Sequence, residues 1–303
     1  MLNPARVRGV ARVAARCTAA ATAAGWDWLL AETTIDDPGT GLARQAVSAG
    51  ARLVFAVGGD GTVRACAQAL AGTAVPLAIV PRGTANLAAR ALGVPARLDA
   101  ALACGLRGHE RRIDLATADG ITFVAMAGLG TDAAVVGATP ARFKTSAGWL
   151  AYAAVGAWHT RGRHAAFGIS LDGTPLATSA GSVVVGNAGL LPGGFRLLPD
   201  ARLDDGQLDV GILAPSSLPD WAVIARRVLA ASRRDDRRLA RYRARRVEIH
   251  ADRDLPRQVD GEVIAAGREL TVTVLPRALL VRVPGPVPVR VAGPALAGMP
   301  GPA

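Results

Sequence analysis

An α/β domain followed by a largely antiparallel β domain is what the sequence predicts, on three observations. Residues 26 to about 113 alternate short apolar runs with helix-length amphipathic segments. From about 114 onward the texture changes to short β-rich pieces separated by Gly, Pro and Asp. Two of the apolar runs stop abruptly in glycine-containing loops that open helices, at Gly58-Gly59-Asp60-Gly61-Thr62 and at Pro81-Arg82-Gly83-Thr84-Ala85-Asn86. The expected division is therefore residues 1–113, residues 114–283, and a Pro/Gly-rich tail at 284–303 expected to be disordered.

Taken in order, the chain opens with an Arg- and Ala-rich segment free of acids, a composition shared with organelle transit peptides. A plain first helix is the preferred reading. Val7, Val10, Ala14, Cys17 and Ala21 recur at three- and four-residue spacing, Gly25 stands where a helix would stop, and Arg12 and Arg16 interrupt any signal-peptide core. There follow a strand in "RLVFAV", a helix at 63–71, a strand in "PLAIVP", and helices at 84–92 and 98–107. Strands are then expected in "ITFVAMAG", "AAFGISLDG", "SVVVGNAG", "LDVGILAP", "RRVEIHAD" and "LTVTVLP", with helical insertions near 140–160 and 217–232. No internal repeat is visible.

Composition excludes several classes. Half of the 303 residues are apolar, enough for a substantial core, yet the longest greasy stretch, around 149–158, falls short of the roughly 20 residues of a membrane span. Cys17, Cys66 and Cys104 lack the spacing of a disulfide framework or zinc site and fit a reducing cytoplasm, and the four histidines lie in unrelated settings. The net charge of +11 is carried almost wholly by arginine, Lys144 being the only lysine. Lys144 has neither a Walker A nor a protein-kinase strand context, so both of those nucleotide schemes are excluded. Nucleic acid is a poor partner, because aromatics are scarce near the arginines and no recognition module appears.

A strand that stops at consecutive glycines before a helix lets the main chain approach a ligand and present N–H groups to phosphate oxygens. An isolated carboxylate such as Asp60 would repel that anion, so it implies a bridging Mg²⁺, a substrate hydroxyl losing its proton, or both. An Asp-Gly turn would produce the same letters, and Thr84 and Asn86 would also serve as helix caps. Two such junctions on neighbouring strands would face one crevice at the carboxyl edge of the sheet.

"GGDGT" and "PRGTAN", followed by "AGLGTDAAVV" (127–136), "GGFRLLPDARLDDGQLDV" (193–210) and "QVDGE" (258–262), resemble in kind and order the motifs of diacylglycerol kinase catalytic domains, the group that includes sphingosine kinases. The resemblance spans Asn3 to about residue 283. It implies an ATP-binding α/β domain, a C-terminal antiparallel β-sandwich and an active site in the cleft between them. For ATP it implies Asn3 and Pro4, Thr34 (with Thr33 close behind), Gly58, Gly59, Asp60, Gly61, Thr62, Arg64, Thr84 and Asn86. Only two residues precede Asn3, so the family's first strand is expected to be cut short, and Leu87 stands where many relatives carry Asp. A structural Mg²⁺ is implied at Arg202, Asp205 and Gln207, with Asp114 linked to it through water. Asp260 is the leading candidate for the base that takes the lipid hydroxyl's proton, Glu262 orients it or shares the role, and Asp60 partners Mg²⁺·ATP.

The expected reaction converts diacylglycerol to phosphatidic acid; a sphingoid-base or other acyl-lipid kinase and a catalytically silent lipid-binding protein are the alternatives. The lipid is expected in a cleft walled by "NAGLLPGGFRLL", and the arginine cluster at 226–246 either meets an anionic bilayer or forms a solvated face. The implied location is the cytoplasm, peripheral to the membrane, with a homodimer open.

Overall fold

A computed structural model describes residues 1–130, 164–191 and 194–285. The first domain is built on β1 (Val54–Gly58) and β2 (Leu77–Pro81), paired in parallel with Val54 opposite Leu77. Both strands are buried along their whole length, which is why they read as uninterrupted apolar runs rather than alternating ones. Leu2, fully buried, bridges in parallel to Val57 on one side and Glu32 on the other. Leu2 thus occupies the slot between Val57 of β1 and the segment around Glu32.

Helices α1 (Val10–Ala23) and α5 (Leu98–Arg107) pack together, as do α2 (Thr40–Ser48) and α3 (Asp60–Leu70). In α1 the buried residues Val13, Cys17 and Ala21 mark the apolar stripe; Val7 lies before the helix, which starts after Gly9 at φ 68°. The helix expected at 84–92 is the shorter α4 (Leu87–Ala91), because Asn86 takes a left-handed conformation at φ 49°. Helix α2 has no counterpart among the expected elements.

The second domain is formed by β3 (His109–Ala118), β4 (Ile121–Phe123), β5 (Met126–Gly130), β6 (Ala165–Leu171), β7 (Thr174–Ala180), β8 (Ser182–Gly186), β9 (Leu208–Leu213), β10 (Leu239–Ala244), β11 (Arg246–Val259) and β12 (Glu262–Val283). Antiparallel pairing runs β12–β11–β5–β8–β9–β10, with β6 and β7 continuing from β11 and β3 and β4 from β12. Alternating inward residues such as Phe167, Ile169, Val247, Ile249, Leu270 and Val272 fill the core of this sandwich. Helix α6 (Leu218–Leu229), started by Ser217 accepting from the Asp220 amide, closes a smaller cluster with Leu197, Leu198, Ile224 and Val228.

Two strands tie the domains together. β12 pairs with β11 in the sandwich, bulges between Leu275 and Leu279, and near its end sets Val281 beside Leu77 of β2, while β3 pairs with it from Val272 to Val283. The last strand therefore completes the first sheet, and the base of the cleft is continuous backbone. The insertion expected near 140–160 and all but two residues of the expected tail lie outside the described residues.

Candidate active site

At the carboxyl ends of β1 and β2 the two glycine loops touch. The Arg82 amide donates to the Gly58 carbonyl (2.7 Å), and a Cβ built on Gly83 would lie 2.5 Å from the Gly59 Cα. Only glycine at both positions permits that approach. Asn86 braces the second loop by folding back on it: its Oδ1 accepts from the Gly83 amide (2.9 Å) and its Nδ2 donates to the Gly83 carbonyl (2.7 Å). Thr84 stands exposed on the same loop. Asn3 is held beside the first loop, donating from its amide to the Val57 carbonyl (3.0 Å) and from Nδ2 to Thr62 Oγ1 (3.0 Å), with Pro4 in the turn that follows. Thr34 is exposed and accepts from the Asp37 amide (3.0 Å), whereas Thr33 is buried beside Leu2.

Asp60 opens α3 and turns its carboxylate toward the amides of Asn86, Leu87 and Ala88, the last at 3.4 Å. Its pKa is pushed up to about 6, first by burial and then by the charge of Asp260; those three amides oppose the shift. It makes no ion pair among the described residues.

Asp260 arrives from the other domain. Asp260 and Gly261 form the two-residue loop of the β11–β12 hairpin, with φ 48° and 79° and Val259 paired to Glu262, the geometry that favours Asp-Gly. Gln258 steadies the loop by accepting from the Gly261 amide (2.9 Å). The Asp260 carboxylate points inward: Oδ2 accepts from the Val124 amide (2.9 Å), and Oδ1 from those of Ala125 (2.8 Å) and Met126 (3.1 Å). Burial raises its pKa, against the pull of the three amides and of Arg64. Glu262 is differently placed. A Cβ on Gly61 would meet its Oε1 at 2.7 Å, its Oε2 accepts from Arg64, and its side chain remains 56% exposed. Arg64 also donates to the Val259 carbonyl (3.2 Å). Asp60, Gly61 and Arg64 of one domain thus share a gap with Asp260 and Glu262 of the other.

The loop Arg202–Gln207 is a separate structure. Asp114, fully buried, accepts from the Gly206 amide (2.7 Å) and the Arg277 amide (2.7 Å), while its own amide donates to the Leu203 carbonyl (2.6 Å). Asp114 therefore grips this loop directly. Asp205 accepts from the Gln207 amide (3.1 Å) through Oδ1 and pairs with Arg243 through Oδ2. Asp204 pairs with Arg111 (2.7 Å) and Arg202 (3.5 Å). As placed, Asp205, the one expected carboxylate ligand beside the backbone carbonyls of Arg202 and Gln207, does not fit the expected Mg²⁺, because both of its oxygens are engaged within the chain.

Two other expectations change. Leu190, Leu191, Leu197 and Leu198, expected to wall a lipid cleft, are buried, the last three of them against α6. In the arginine cluster, Arg227, Arg233, Arg238, Arg241, Arg243 and Arg246 pair with carboxylates of the same chain, so much of its charge is neutralised internally. The role of residues 124–126 as the seat of Asp260 carries no motif; it could be found only by knowing that the hairpin folds onto that segment.

Residues 2–118 match the diacylglycerol kinase catalytic domain, and residues 125–283 match the YegS C-terminal NAD kinase beta sandwich-like domain. A "Probable lipid kinase YegS-like" of Pseudomonas fluorescens is 36% identical over 271 residues, covering 88% of this chain and 89% of its own. A "Diacylglycerol kinase" of Bacillus subtilis is 30% identical over 244 residues, 79% of this chain and 80% of its own. In fold, the crystal structure of a diacylglycerol kinase from Bacillus anthracis superposes with a TM-score of 0.73 at 21% identity, over 93% of this chain and 94% of that one. Fold and site define a two-domain kinase with its nucleotide domain first and its β-sandwich second. The chain belongs to the lipid kinase family that joins a diacylglycerol kinase catalytic domain to a YegS-type sandwich.

Proposed function

We propose that the protein transfers the γ-phosphoryl group of Mg²⁺·ATP to a lipid hydroxyl, with diacylglycerol as acceptor and phosphatidic acid as product. The observation that supports this most directly is the gap shared by Asp60 and Glu262, where an anionic nucleotide loop faces an exposed carboxylate from the opposite domain. The touching glycine loops, with Asn3, Thr62, Thr84 and Thr34 around them, receive the nucleotide through main-chain amides and hydroxyls. The residues fit a magnesium-bound triphosphate here: Asp60 is an oxygen donor without an ion-pair partner, held in a setting that resists its negative charge. Asp60 would hold the metal that comes with ATP, and that ion would supply positive charge opposite the phosphoryl oxygens.

The base is better assigned to Glu262 than to Asp260. Both Asp260 oxygens are occupied by backbone amides, whereas Glu262 is half exposed across from Gly61. In the step itself the lipid oxygen bonds to the γ-phosphorus as the bond to ADP breaks, and the hydroxyl proton passes to Glu262. Asp260 fixes the hairpin that carries Glu262, and Arg64 orients its carboxylate. Holding acceptor and phosphoryl in line is worth roughly 7–11 kcal/mol of barrier.

A lipid acceptor requires approach to a bilayer. No helix among the described residues is long and apolar enough to cross a membrane. Leu218 and Leu229, 64% and 57% exposed at the two ends of α6, with Arg226 between them, form the surface we assign to peripheral contact from the cytoplasmic side. The deciding experiment offers radiolabelled ATP with diacylglycerol, a sphingoid base or NAD in mixed micelles. Labelled phosphatidic acid is expected; a labelled sphingoid base would change the acceptor, and labelled NAD would remove the lipid reading.

A further inference from the structure

We infer that in this chain the guanidinium of Arg243 takes the place of the structural divalent cation implied for the loop Arg202–Gln207, so that the loop keeps its fold without a metal ion. Arg243 lies on β10 directly opposite Asp209 of β9 in the antiparallel register. From there it pairs with Asp205 Oδ2, and its Nε stands 3.7 Å from Asp209 Oδ2, an oxygen that is buried and has no hydrogen-bond partner. One positive group from β10 thus sits between two carboxylates, one in the loop and one at the start of the strand that follows it. That is the task of a structural cation: drawing together oxygen donors that would otherwise repel.

The geometry leaves little room for both. Mg²⁺ demands oxygen ligands at about 2.0–2.1 Å in near-octahedral array. The Asp205 carboxylate already serves the Gln207 amide with one oxygen and Arg243 with the other. An ion beside it would face a guanidinium of like charge. The remaining anchors of the loop are hydrogen bonds within the chain: Asp114 holds the Gly206 and Arg277 amides, and Asp204 is held by Arg111. Arginine suits the substitution because it is always charged, presents a planar fork to carboxylates and cannot be chelated away.

The test is thermal unfolding of the full chain, without nucleotide, in EDTA and in millimolar Mg²⁺. This readout is independent of which substrate the kinase uses, so it fails or succeeds separately from the functional proposal. Wild-type Tm should be the same in both buffers within about 1 °C, and elemental analysis should find no stoichiometric Mg²⁺ or Ca²⁺. Arg243→Ala should melt at least about 4 °C lower in EDTA and recover most of that loss in Mg²⁺, because two carboxylates are then freed for an ion. Arg243→Lys, which keeps the charge, should lose less and remain insensitive to EDTA. If Arg243→Ala does not fold, the wild-type and Arg243→Lys measurements decide. A wild-type Tm that drops in EDTA, a co-purifying stoichiometric ion, an unchanged Tm in Arg243→Ala, or a loss that Mg²⁺ does not restore would each overturn the inference.

Discussion

The dipeptide Asp-Gly recurs at turns of this protein, and two of those turns, at Asp205-Gly206 and Asp260-Gly261, have opposite electrostatic endings. At Asp260-Gly261 both residues are left-handed, with φ 48° and 79°, and at Asp205-Gly206 the glycine alone is, with φ 70°, so each turn needs its glycine. What differs is the partner that the fold brings to the carboxylate. Asp205 meets a guanidinium and is neutralised within the chain. Asp260 meets three amides and a second carboxylate, Asp60, and the excess negative charge stays in the gap. In the proposed reading the turn that ends in an ion pair is structural, and the one whose carboxylate faces a second carboxylate across the gap suits the cation that Mg²⁺·ATP would carry. The local sequence dictates the turn, and long-range pairing decides what the acid does.

The sharpest break of this comparison lies one residue beyond the active turn. Glu262→Gln is expected to lower kcat by roughly 10²–10⁴-fold, the usual worth of a positioned general base, while Tm stays unchanged, because its carboxylate is half exposed and among the described residues pairs with Arg64 alone. Asp260→Asn should instead lower both activity and stability. An asparagine places an NH₂ group against amide donors, leaving at least one buried N–H unsatisfied at a cost of about 1–3 kcal/mol. Lipid-kinase assays paired with thermal melts separate the two. Loss of activity in Asp260→Asn at unchanged Tm, with Glu262→Gln active, would return the base to Asp260.

Next in size is the pH dependence of Asp60. Its folded pKa, about 6, lies above the ordinary carboxylate value of 3.8, so between those limits the folded protein binds more protons than the unfolded chain. Its contribution to stability is therefore favourable at low pH and is lost as pH rises through about 6. Asp60→Asn should raise Tm at pH 8, leave it unchanged near pH 4, and abolish Mg²⁺-dependent ATP binding. Melts of both proteins from pH 4 to 8 would show the two Tm curves diverging through that range. Curves that stay parallel would mean that Asp60 is not held in a charge-resisting setting.

Much of this arrangement was legible in the sequence, and its limits are physical. The glycine loops could be read because buried parallel strands leave continuous apolar runs and only glycine permits the Gly59–Gly83 approach. Helix α5 could be read from its period, to the residue. Helix α2 was not visible, because its start depends on Asp37, which lies outside the helix and accepts from the amides of Gly39, Gly41 and Leu42. Nor could the disposition of Asp260 be read: the amides that seat it are 134 to 136 positions away. Nor could the packing of Leu191, Leu197 and Leu198 with α6 be read, because apolar residues beside a glycine motif look the same whether they face a ligand or a helix.

The smallest expected effect concerns Arg64, which sharpens how the two domains meet. It reaches from α3 to both the Glu262 carboxylate and the Val259 carbonyl, so it fixes the base and the strand carrying it. Arg64→Ala should lower kcat by about tenfold with little change in the KM for ATP, because the loop amides proposed to hold the nucleotide are left alone by the substitution. Arg64→Lys retains a charge and one donor but lacks the fork that serves two acceptors, so it should recover only part of the loss. Steady-state kinetics of the three proteins check this. A rise in KM for ATP without a fall in kcat would make Arg64 a phosphate ligand that meets Glu262 only when nucleotide is absent.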